Sequence, residues 1–298
     1  MSSSIAAVTR ATRPSFLILA PLCVLLGISL AVNQPISLHG LDVALVLIGG
    51  LLAHAGVNLL NEYDDFHSGL DHITRRTPFS GGSGALPEHP SAAPQVLITA
   101  LATLVGIAAI GVYFLWLRGW PMLIVGLSGV FLMVAYTRWL TRSPLWCLLA
   151  PGLGFGPIMV LGTLIALGGR VDETALMGSA VTLMLVSELL LINQFPDVEA
   201  DRRIGRRHLP IVVGLPVASR WVAGLLLGAY GLIALGRLYG LLPMDAWLAF
   251  LTLPAALWIA LRLLKALKDE EALQKIMSIN VATLLSTLLL LAVGMWVA

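Results

Sequence analysis

Charge is scarce in this sequence. Only 11% of the 298 residues are Asp, Glu, Lys or Arg, whereas 58% are hydrophobic, and the mean hydropathy is +0.92. A soluble domain has about 45–50% apolar and about 25% charged residues, so the composition argues against a soluble enzyme or binding module. Cysteine is also rare. Cys23 and Cys147 both lie in apolar segments, which indicates neither a disulfide framework nor a zinc site.

Long apolar runs dominate the chain, and each approaches the roughly 20 residues that a helix needs to cross a bilayer. The runs are continuous rather than alternating, so they predict helices and not the strands of a barrel. We predict an all-α fold, a single domain over residues 1–298. It forms a polytopic membrane bundle of about nine transmembrane helices around a central cavity open to the cytoplasmic side. The predicted spans are about 15–32, 41–60, 93–115, 120–137, 145–167, 174–193, 215–236, 244–264 and 277–297.

The basic residues orient these spans. With the N-terminus in the cytoplasm, fifteen of the eighteen Lys and Arg residues fall on the inner side, and only Arg118, Arg170 and Arg237 fall outside. Such a bias is typical of cytoplasmic loops. We therefore predict an integral multi-pass protein of an inner or plasma membrane, with its N-terminus on the cytoplasmic side, together with the candidate functional residues described below.

The few acidic residues are clustered. Seven of the sixteen Asp and Glu residues lie in two short segments, each at the cytoplasmic end of an apolar run. The first motif contains Asn58, Asn61, Glu62, Asp64, Asp65 and Asp71, and the second contains Asn193, Asp197, Glu199 and Asp201.

Helical spacing places each motif on one face. His54, Asn58, Asn61 and Asp65 share a face if the second span continues as a helix, and Asn193, Asp197 and Asp201 are successive i, i+4 positions. A charged side chain in lipid costs about 2.5–3.5 kcal/mol. We therefore expect the two polar stripes to line a hydrated cavity that they share.

The oxygen ligands of these motifs favour magnesium or calcium over zinc. Arginines beside them suit a phosphate group, because guanidinium is a planar bidentate donor. The alternative is a solvated, charge-balanced loop. The neighbouring arginines are Arg75, Arg76, Arg202, Arg203 and Arg206.

The motifs resemble those of the UbiA superfamily of membrane prenyltransferases. The first reads Asn61-Glu-Tyr-Asp-Asp65-Phe-His-Ser-Gly69-Leu-Asp71, and its Gly-x-Asp ending is similar to the dihydroxynaphthoate prenyltransferase branch. The second, Asn193-x-x-x-Asp197-x-x-x-Asp201, and the segment Tyr136-Thr137-Arg138 are also similar. Glu62 departs from the family pattern, which usually has Asp, and Pro196 is unusual there.

The resemblance implies magnesium-dependent transfer of a polyprenyl group from an allylic diphosphate to an aromatic acceptor, with release of diphosphate. An acceptor like 1,4-dihydroxy-2-naphthoate, as in menaquinone biosynthesis, is favoured. Two magnesium ions would be held by Asp65, Asp71, Asp197 and Asp201, with Glu62. Catalytic roles would fall to these four aspartates, Asn61, Asn193 and Glu188. The diphosphate would contact Arg75, Arg76, Arg138, Arg202, Arg203, Arg206, Asn58 and Tyr136.

Several alternatives stay open. Ser80-Gly-Gly-Ser-Gly84 is either an anion-binding nest or a flexible link. Glu188 and His54 are either functional or hydrogen-bonded structural residues. The acceptor is otherwise a hydroxybenzoate, a chlorophyll-type alcohol or a glycerol phosphate lipid.

Two other functions compete with prenyl transfer. One is a CDP-alcohol phosphotransferase, which requires a compact Asp-Gly and Ala-Arg signature that neither motif has. The other is a cation-coupled transporter, but transporter sites favour the bilayer midplane, whereas the acidic motifs here lie at the cytoplasmic ends of the spans. The expected partners are the diphosphate, the acceptor and membrane lipid, without nucleic acid. The sequence indicates no oligomeric state.

Overall fold

Helices make up all the regular secondary structure of the computed structural model between residues 2 and 297, the part of the chain that it describes. The predicted all-α class is therefore confirmed. Eight helical segments in that range are long and apolar enough to cross a membrane, and one shorter apolar helix accompanies them.

The elements follow the predicted spans closely. The first part of the chain forms α1 (Ser2–Ala11), α2 (Leu19–Val32), α3 (Gly40–His67), α4 (Leu70–Ile73) and α5 (Ala85–Glu88). The middle forms α6 (Ala93–Arg118), α7 (Trp120–Arg138), α8 (Pro144–Leu153), a π-helical segment (Gly154–Leu161), α9 (Gly162–Ala166) and α10 (Glu173–Asn193). The last part forms α11 (Val198–Arg203), α12 (Leu209–Val213), α13 (Leu215–Leu238), α14 (Leu253–Ala266) and α15 (Glu270–Trp296). Short 3-10 segments cover Pro90–Ala92, Leu140–Arg142 and Met244–Thr252.

Helix α3 is longer than its predicted span and carries the first acidic motif. Its 28 residues, rising about 1.5 Å each, extend about 42 Å, beyond a hydrocarbon core of about 30 Å. The helix ends at His67, and Gly69 then adopts a φ of +79°. That left-handed conformation suits glycine and turns the chain so that Asp71 on α4 returns towards the helix end.

The second acidic motif is not one continuous helix. Helix α10 ends at Asn193, residues 194–197 form turns, and α11 begins at Val198. The expected stripe of Asn193, Asp197 and Asp201 on a single helix is therefore wrong. Pro196 lacks the N–H that would continue the ladder and disfavours helical geometry in the residue before it.

The helices form a ring. Helix α2 packs against both α3 and α15, α3 packs against α6 and α7, and α10 packs against α8, the π-helical segment and α13. Helices α13, α14 and α15 contact one another in order and bring the chain back to α2. The ring leaves a space between its two halves.

The π-helical segment shapes one wall of that space. A Cβ on Gly152 would collide with Ser187 of α10, and a Cβ on Gly156 would collide with the carbonyl oxygen of Ser179. Only residues without a side chain allow this approach of α8 and its continuation to α10. The segment carries Phe155, which faces the interior cavities.

The outer surface of the ring is apolar. On α6, Val105 is 69% exposed and Trp116 is 82% exposed. Large apolar side chains on outward helix faces would be unfavourable in water and are matched to lipid. The chain is thus an integral, multi-pass membrane protein.

Candidate active site

Two adjoining cavities occupy the interior of the ring. One has a volume of about 180 Å³ and contains the acidic residues; because it is the more polar of the two, we call it the polar cavity. The other has a volume of about 320 Å³ and a mainly apolar lining, and we call it the apolar cavity. Since several side chains line both, the two spaces meet at a shared wall, which we call the junction. The junction residues are Arg13, His54, Asn58, Asn61, Tyr136, Phe155 and Leu190.

The first motif lies where helical spacing predicted it. His54, Asn58, Asn61 and Asp65 all line the polar cavity from one face of α3. The Asn58 amide donates to the carbonyl oxygen of Thr12 at 2.9 Å, and Asn61 Oδ1 accepts from Thr137 Oγ1 at 2.9 Å. These hydrogen bonds fix the asparagine side chains at the cavity wall.

Arg206 joins the two motifs. Its Nη2 donates to Asp65 Oδ1, and its Nη1 donates to Asp201 Oδ1 at 2.9 Å. His208 Nε2 lies 2.8 Å from the other oxygen of Asp201. Burial alone would lower the pKa of Arg206. The negative charges of Asp65 and Asp201 act in the opposite direction, and the net result is a pKa above the usual value for arginine. The guanidinium is therefore a fixed positive charge between motifs from opposite halves of the chain.

Asp71 and Asp197 each present a buried carboxylate oxygen that can accept a further ligand. Both line the polar cavity. Among residues 2–297, no partner is within hydrogen-bonding reach of Asp71 Oδ2 or Asp197 Oδ1; we call these the open oxygens. Burial, followed by the neighbouring charges of Glu62 and Asp65, raises the pKa of Asp71 to about 7. Burial and the charge of Asp201 raise the pKa of Asp197 to about 7. Nearby guanidinium groups, Arg13 and Arg76 for Asp71 and Arg206 for Asp197, oppose these shifts without cancelling them.

The segment Ser80-Gly-Gly-Ser-Gly84, which we call the glycine-rich loop, contacts residues of both acidic motifs. Gly81 N donates to Asp197 Oδ2 at 3.1 Å, and Ser83 donates to both oxygens of Glu62, from N at 3.0 Å and from Oγ at 2.5 Å. Gly82 has a φ of +74°, and a Cβ there would lie 2.7 Å from Asp71 Oδ1. The loop is therefore a built part of the site, not merely a flexible link.

Ion pairs from α1 hold this loop in place. Arg10 Nη1 and Arg76 Nη1 lie 2.6 Å and 2.7 Å from the carboxylate of Glu88, and Arg10 also donates to Ser83 O at 3.0 Å. The two guanidinium groups, Arg10 first, lower the pKa of Glu88 to about 2. Each exposed pair contributes little alone, but together they connect the N-terminal helix to both ends of the loop.

The residues fit a magnesium site with few protein ligands. In the described part of the chain no three His, Cys, Asp or Glu side chains converge as a metal cluster. Magnesium usually takes one or two carboxylates, several waters and substrate phosphate oxygens. The open oxygens of Asp71 and Asp197 fit that requirement. Asp65 contacts Arg206 through one oxygen only, whereas both oxygens of Asp201 and of Glu62 have hydrogen-bond partners.

The structure separates most of the predicted arginines from the polar cavity. Arg206 lines it, whereas Arg75 pairs with Glu270 at 2.6 Å, and Arg138 pairs with Asp64 at 3.0 Å. Arg202 pairs with Glu199 at 3.2 Å, Arg203 is exposed, and Arg76 contacts Glu88. Asn193 and Tyr136 do line the polar cavity.

Glu188 is turned towards another helix. It is fully buried on α10, it is absent from the linings of both cavities, and its Oε2 accepts from Asn280 of α15 at 3.1 Å. The sequence left open whether Glu188 is functional or structural, and this contact agrees with the structural interpretation, an interhelical hydrogen bond.

Three contributors escaped the sequence reasoning: Arg13, His208 and Phe155. Each lines the polar cavity. The signal for Arg13 was a basic residue directly before Pro14 at the start of the first span, and the signal for His208 was a histidine seven residues after Asp201. Neither signal is specific without the fold.

An acid-lined polar cavity that adjoins an apolar cavity inside a membrane bundle suits a molecule with an ionic head and an apolar tail. The chain belongs to the UbiA prenyltransferase family, whose family model matches residues 20–284. It is therefore a prenyltransferase. The predicted family and enzyme class are confirmed, which decides against the phosphotransferase and transporter alternatives.

Individual relatives agree with this family. The chain is 30% identical over 234 residues to the 1,4-dihydroxy-2-naphthoate octaprenyltransferase of Bacillus subtilis (strain 168), covering 72% of each protein. It is 26% identical over 294 residues to the 1,4-dihydroxy-2-naphthoate octaprenyltransferase of Escherichia coli (strain K12), covering 96% of this chain and 94% of the relative. A UbiA homologue from Archaeoglobus fulgidus, solved bound to DMAPP and Mg2+, superposes with a TM-score of 0.60 at 14% identity, over 96% of this chain and 99% of that one. The last likeness shows the shared fold.

Proposed function

We propose that this prenyltransferase moves a polyprenyl group from an allylic diphosphate to 1,4-dihydroxy-2-naphthoate or a closely similar acidic aromatic acceptor, in a magnesium-dependent reaction. The active site faces the cytoplasm in this proposal. The distribution of the basic residues supports that orientation, because fifteen of eighteen fall on the side of the acidic motifs.

The observation that carries the proposal is the meeting of the two cavities. The polar cavity contains the open oxygens of Asp71 and Asp197, and the apolar cavity begins at the junction. A polyprenyl diphosphate has the same division, with a charged head, a reactive first carbon and an apolar tail. In the proposed complex the head lies among the acidic residues, the tail occupies the apolar cavity, and the reactive carbon lies at the junction.

The chain's own residues would each hold part of this substrate. Asp71 and Asp197 would hold magnesium, which when bound supplies positive charge to the leaving diphosphate. Asp65 would add its second oxygen, which accepts no hydrogen bond from Arg206, and Asp201 would add a remaining lone pair. Arg206 lies between them and would contact phosphate oxygens. The backbone of the glycine-rich loop covers the head group and excludes water.

The reaction is balanced by loss of diphosphate. The allylic C–O bond breaks, its electron pair leaves with the diphosphate, and a ring carbon of the acceptor forms a new C–C bond to the first prenyl carbon. That ring carbon then loses the group it carried, as a proton or, if it carried the carboxylate, as carbon dioxide. Stabilisation of the charge that develops on the diphosphate is the main contribution expected from the site.

The naphthoate acceptor is supported by two observations. The first motif ends in Gly69-Leu-Asp71, which resembles the naphthoate branch, and the two curated relatives are both named 1,4-dihydroxy-2-naphthoate octaprenyltransferases. Two magnesium ions remain part of the proposal, since the acidic residues come from two separate motifs that face one polar cavity.

A direct assay tests the proposal. Membranes containing the protein are incubated with labelled polyprenyl diphosphate, 1,4-dihydroxy-2-naphthoate and magnesium, and both the prenylated product and the released diphosphate are measured. We expect Asp71→Asn and Asp197→Asn each to lower kcat/KM by about 100-fold or more, a loss typical of removing a group that stabilises transition-state charge.

The matched control is Asp245→Asn, because Asp245 is an exposed aspartate outside both cavities. It should keep full activity, and a chelator should abolish wild-type activity until magnesium is restored. Full activity of both site variants, or turnover that a chelator does not affect, would overturn the assignment of these ligands.

A further inference from the structure

Arg13 occupies an unusual backbone conformation at the edge of the site. Among residues 2–297 it is the non-glycine residue with a positive φ, at +51°. The turn that contains it is held by hydrogen bonds from Arg13 N to Arg10 O at 2.9 Å and from Phe16 N to Arg13 O at 2.9 Å. Strained conformations of this kind persist where the surrounding structure imposes them, often at ligand sites.

The turn sends the Arg13 side chain into the interior. It lines both cavities at the junction, and only 22% of the side chain is exposed. Its Nη2 lies 3.7 Å from Glu62 Oε2, and the buried Nε has no hydrogen-bond partner within the described part of the chain. A guanidinium carries five donors in a fixed plane, so Arg13 retains donors for a ligand.

The neighbours of Arg13 suit a flat ring. His54, Tyr136 and Phe155 also line the junction, and the rings of His54 and Phe155 meet edge to face with centroids 4.8 Å apart. Aromatic walls favour stacked or edge-on contact with another aromatic group. A carboxylate on such a ring is the anion that a planar guanidinium binds through two parallel hydrogen bonds.

We propose that Arg13 binds the carboxylate of the aromatic acceptor and so determines that the enzyme uses an acidic ring. This inference rests on the proposed function and adds to it the residue that recognises the acceptor. Glu62 anchors one edge of the guanidinium, and the acceptor carboxylate takes donors on the remaining edge. The ring then lies at the junction, beside the first carbon of the prenyl group.

The diphosphate is the competing ligand for Arg13. The groups suited to a diphosphate, namely Asp71, Asp197, Arg206 and Gly81, line the polar cavity and are absent from the lining of the apolar one. Arg13 instead shares its position with the aromatic residues. This division assigns Arg206 to the leaving group and Arg13 to the acceptor.

Two acceptors that differ only in the carboxylate test this assignment. Wild type and variants are assayed in membranes with 1,4-dihydroxy-2-naphthoate and with 1,4-dihydroxynaphthalene, and KM is measured separately for acceptor and for prenyl diphosphate. For Arg13→Gln we expect the KM for the naphthoate to rise by about 10-fold to 100-fold, the usual effect of losing a charge-assisted pair. The KM for prenyl diphosphate and turnover of the carboxylate-free acceptor should stay near wild type.

A second variant distinguishes the loss of the Arg13 side chain from a folding defect. Arg13→Gly removes the side chain while suiting the positive φ, because glycine adopts that conformation without a steric penalty. It should show the same selective loss, and Arg13→Lys should recover part of the naphthoate affinity. The matched control is Arg262→Gln, an exposed arginine outside both cavities, which should behave as wild type.

The outcomes separate the two proposals. Equal losses on both acceptors with a raised KM for prenyl diphosphate would assign Arg13 to the diphosphate and overturn the inference. Unchanged naphthoate kinetics in Arg13→Gly would overturn it as well. If wild type itself prenylates neither acceptor, the proposed acceptor class fails, and the Arg13 inference fails with it.

Discussion

The contact between Gly82 and Asp71 makes a sharp prediction about the glycine-rich loop. Gly82 has a φ of +74°, and a Cβ placed on it would lie 2.7 Å from Asp71 Oδ1 and 3.7 Å from Glu62 Oε2. In Gly82→Ala the added methyl group therefore presses on a proposed metal ligand, while alanine also resists the left-handed conformation.

The two effects have different sizes. A left-handed conformation costs an L-residue about 1–2 kcal/mol, which lowers stability but does not by itself move Asp71. A normal carbon–oxygen contact is about 3.4 Å or longer, so relief of the clash displaces Asp71 or the loop by about 0.7 Å. Misplacement of a catalytic group by about 1 Å can lower the rate about 100-fold. We expect kcat/KM to fall about 10-fold to 100-fold, with a higher magnesium concentration needed for half-maximal activity.

Gly240→Ala is the matched control. Gly240 has a φ of +71°, and within residues 2–297 nothing lies within 4 Å of its ideal Cβ position. This variant has the same backbone penalty without the contact. The assay compares kcat/KM, the magnesium requirement and thermal stability of the two variants in the same membranes. Equal activities of Gly82→Ala and Gly240→Ala would refute the reasoning, because they would show that the methyl group does not disturb the site.

Three further predictions concern the tail, the buried acid and the metal. Gly126 lines the apolar cavity, and its ideal Cβ has no neighbour within 4 Å in the described chain. A leucine there would occupy part of the space proposed for the tail, so Gly126→Leu should shift the preference towards shorter prenyl diphosphates in a chain-length competition assay. The control variant Gly224→Leu, outside both cavities, should leave that preference unchanged. Glu188→Gln should keep kcat within about threefold of wild type, because the amide can still pair with Asn280; a loss of 100-fold at unchanged thermal stability would restore a catalytic role. Because the pKa of Asp71 and of Asp197 is raised to about 7, protons compete with magnesium for these carboxylates. Magnesium titrations of activity should therefore show an apparent affinity that rises between about pH 6 and pH 8.

The arrangement of the first motif was predictable because its side chains lie on one uninterrupted helix, so their relative positions depend only on their spacing in the sequence. Helical periodicity alone placed His54, Asn58, Asn61 and Asp65 on one face, and α3 continues for two turns beyond the apolar run to carry them. Nothing between Leu41 and His67 interrupts a helix. The positions of the apolar spans were predictable for the same reason, since lipid requires each span to satisfy its own backbone. The predicted count of about nine is approximate: eight helical segments in the described chain are long enough to span, and the first predicted span holds the shorter helix α2 (Leu19–Val32).

The second motif was only partly predictable. The i, i+4 spacing was present, but the helix breaks after Asn193, and Asp197 and Asp201 reach the cavity through a turn and the short helix α11. Pro196 was the available signal. The spacing therefore predicted correctly that Asn193, Asp197 and Asp201 line one cavity, although the continuous helix on which that prediction relied is not formed.

The choice among the arginines depended on a turn that the sequence hardly specifies. Arg202 and Arg203 lie on the exposed side of α11, whereas Gly205, with a φ of +82°, reverses the chain and brings Arg206 N to Asp201 O at 3.1 Å. All three arginines stand within five residues of Asp201. Only the glycine distinguishes them, as the left-handed residue that commonly ends a helix.

Charge balance in the polar cavity links the separate proposals. Four aspartates line it, namely Asp65, Asp71, Asp197 and Asp201, and the buried carboxylate of Glu62 lies beside it, 3.7 Å from Arg13. The guanidinium groups of Arg13 and Arg206 oppose these five carboxylates. If all five ionised, they would leave a formal charge of about −3, and a diphosphate would add about two or three negative charges in a partly desolvated space. Burial and neighbouring carboxylates already raise the pKa of Asp71 and of Asp197 to about 7. One divalent ion would still leave an excess of about three or four negative charges, whereas two would reduce that excess to about one or two. The charge count thus supports two magnesium ions, and it makes binding of metal and of diphosphate mutually dependent, because each supplies the counter-charge that the other lacks.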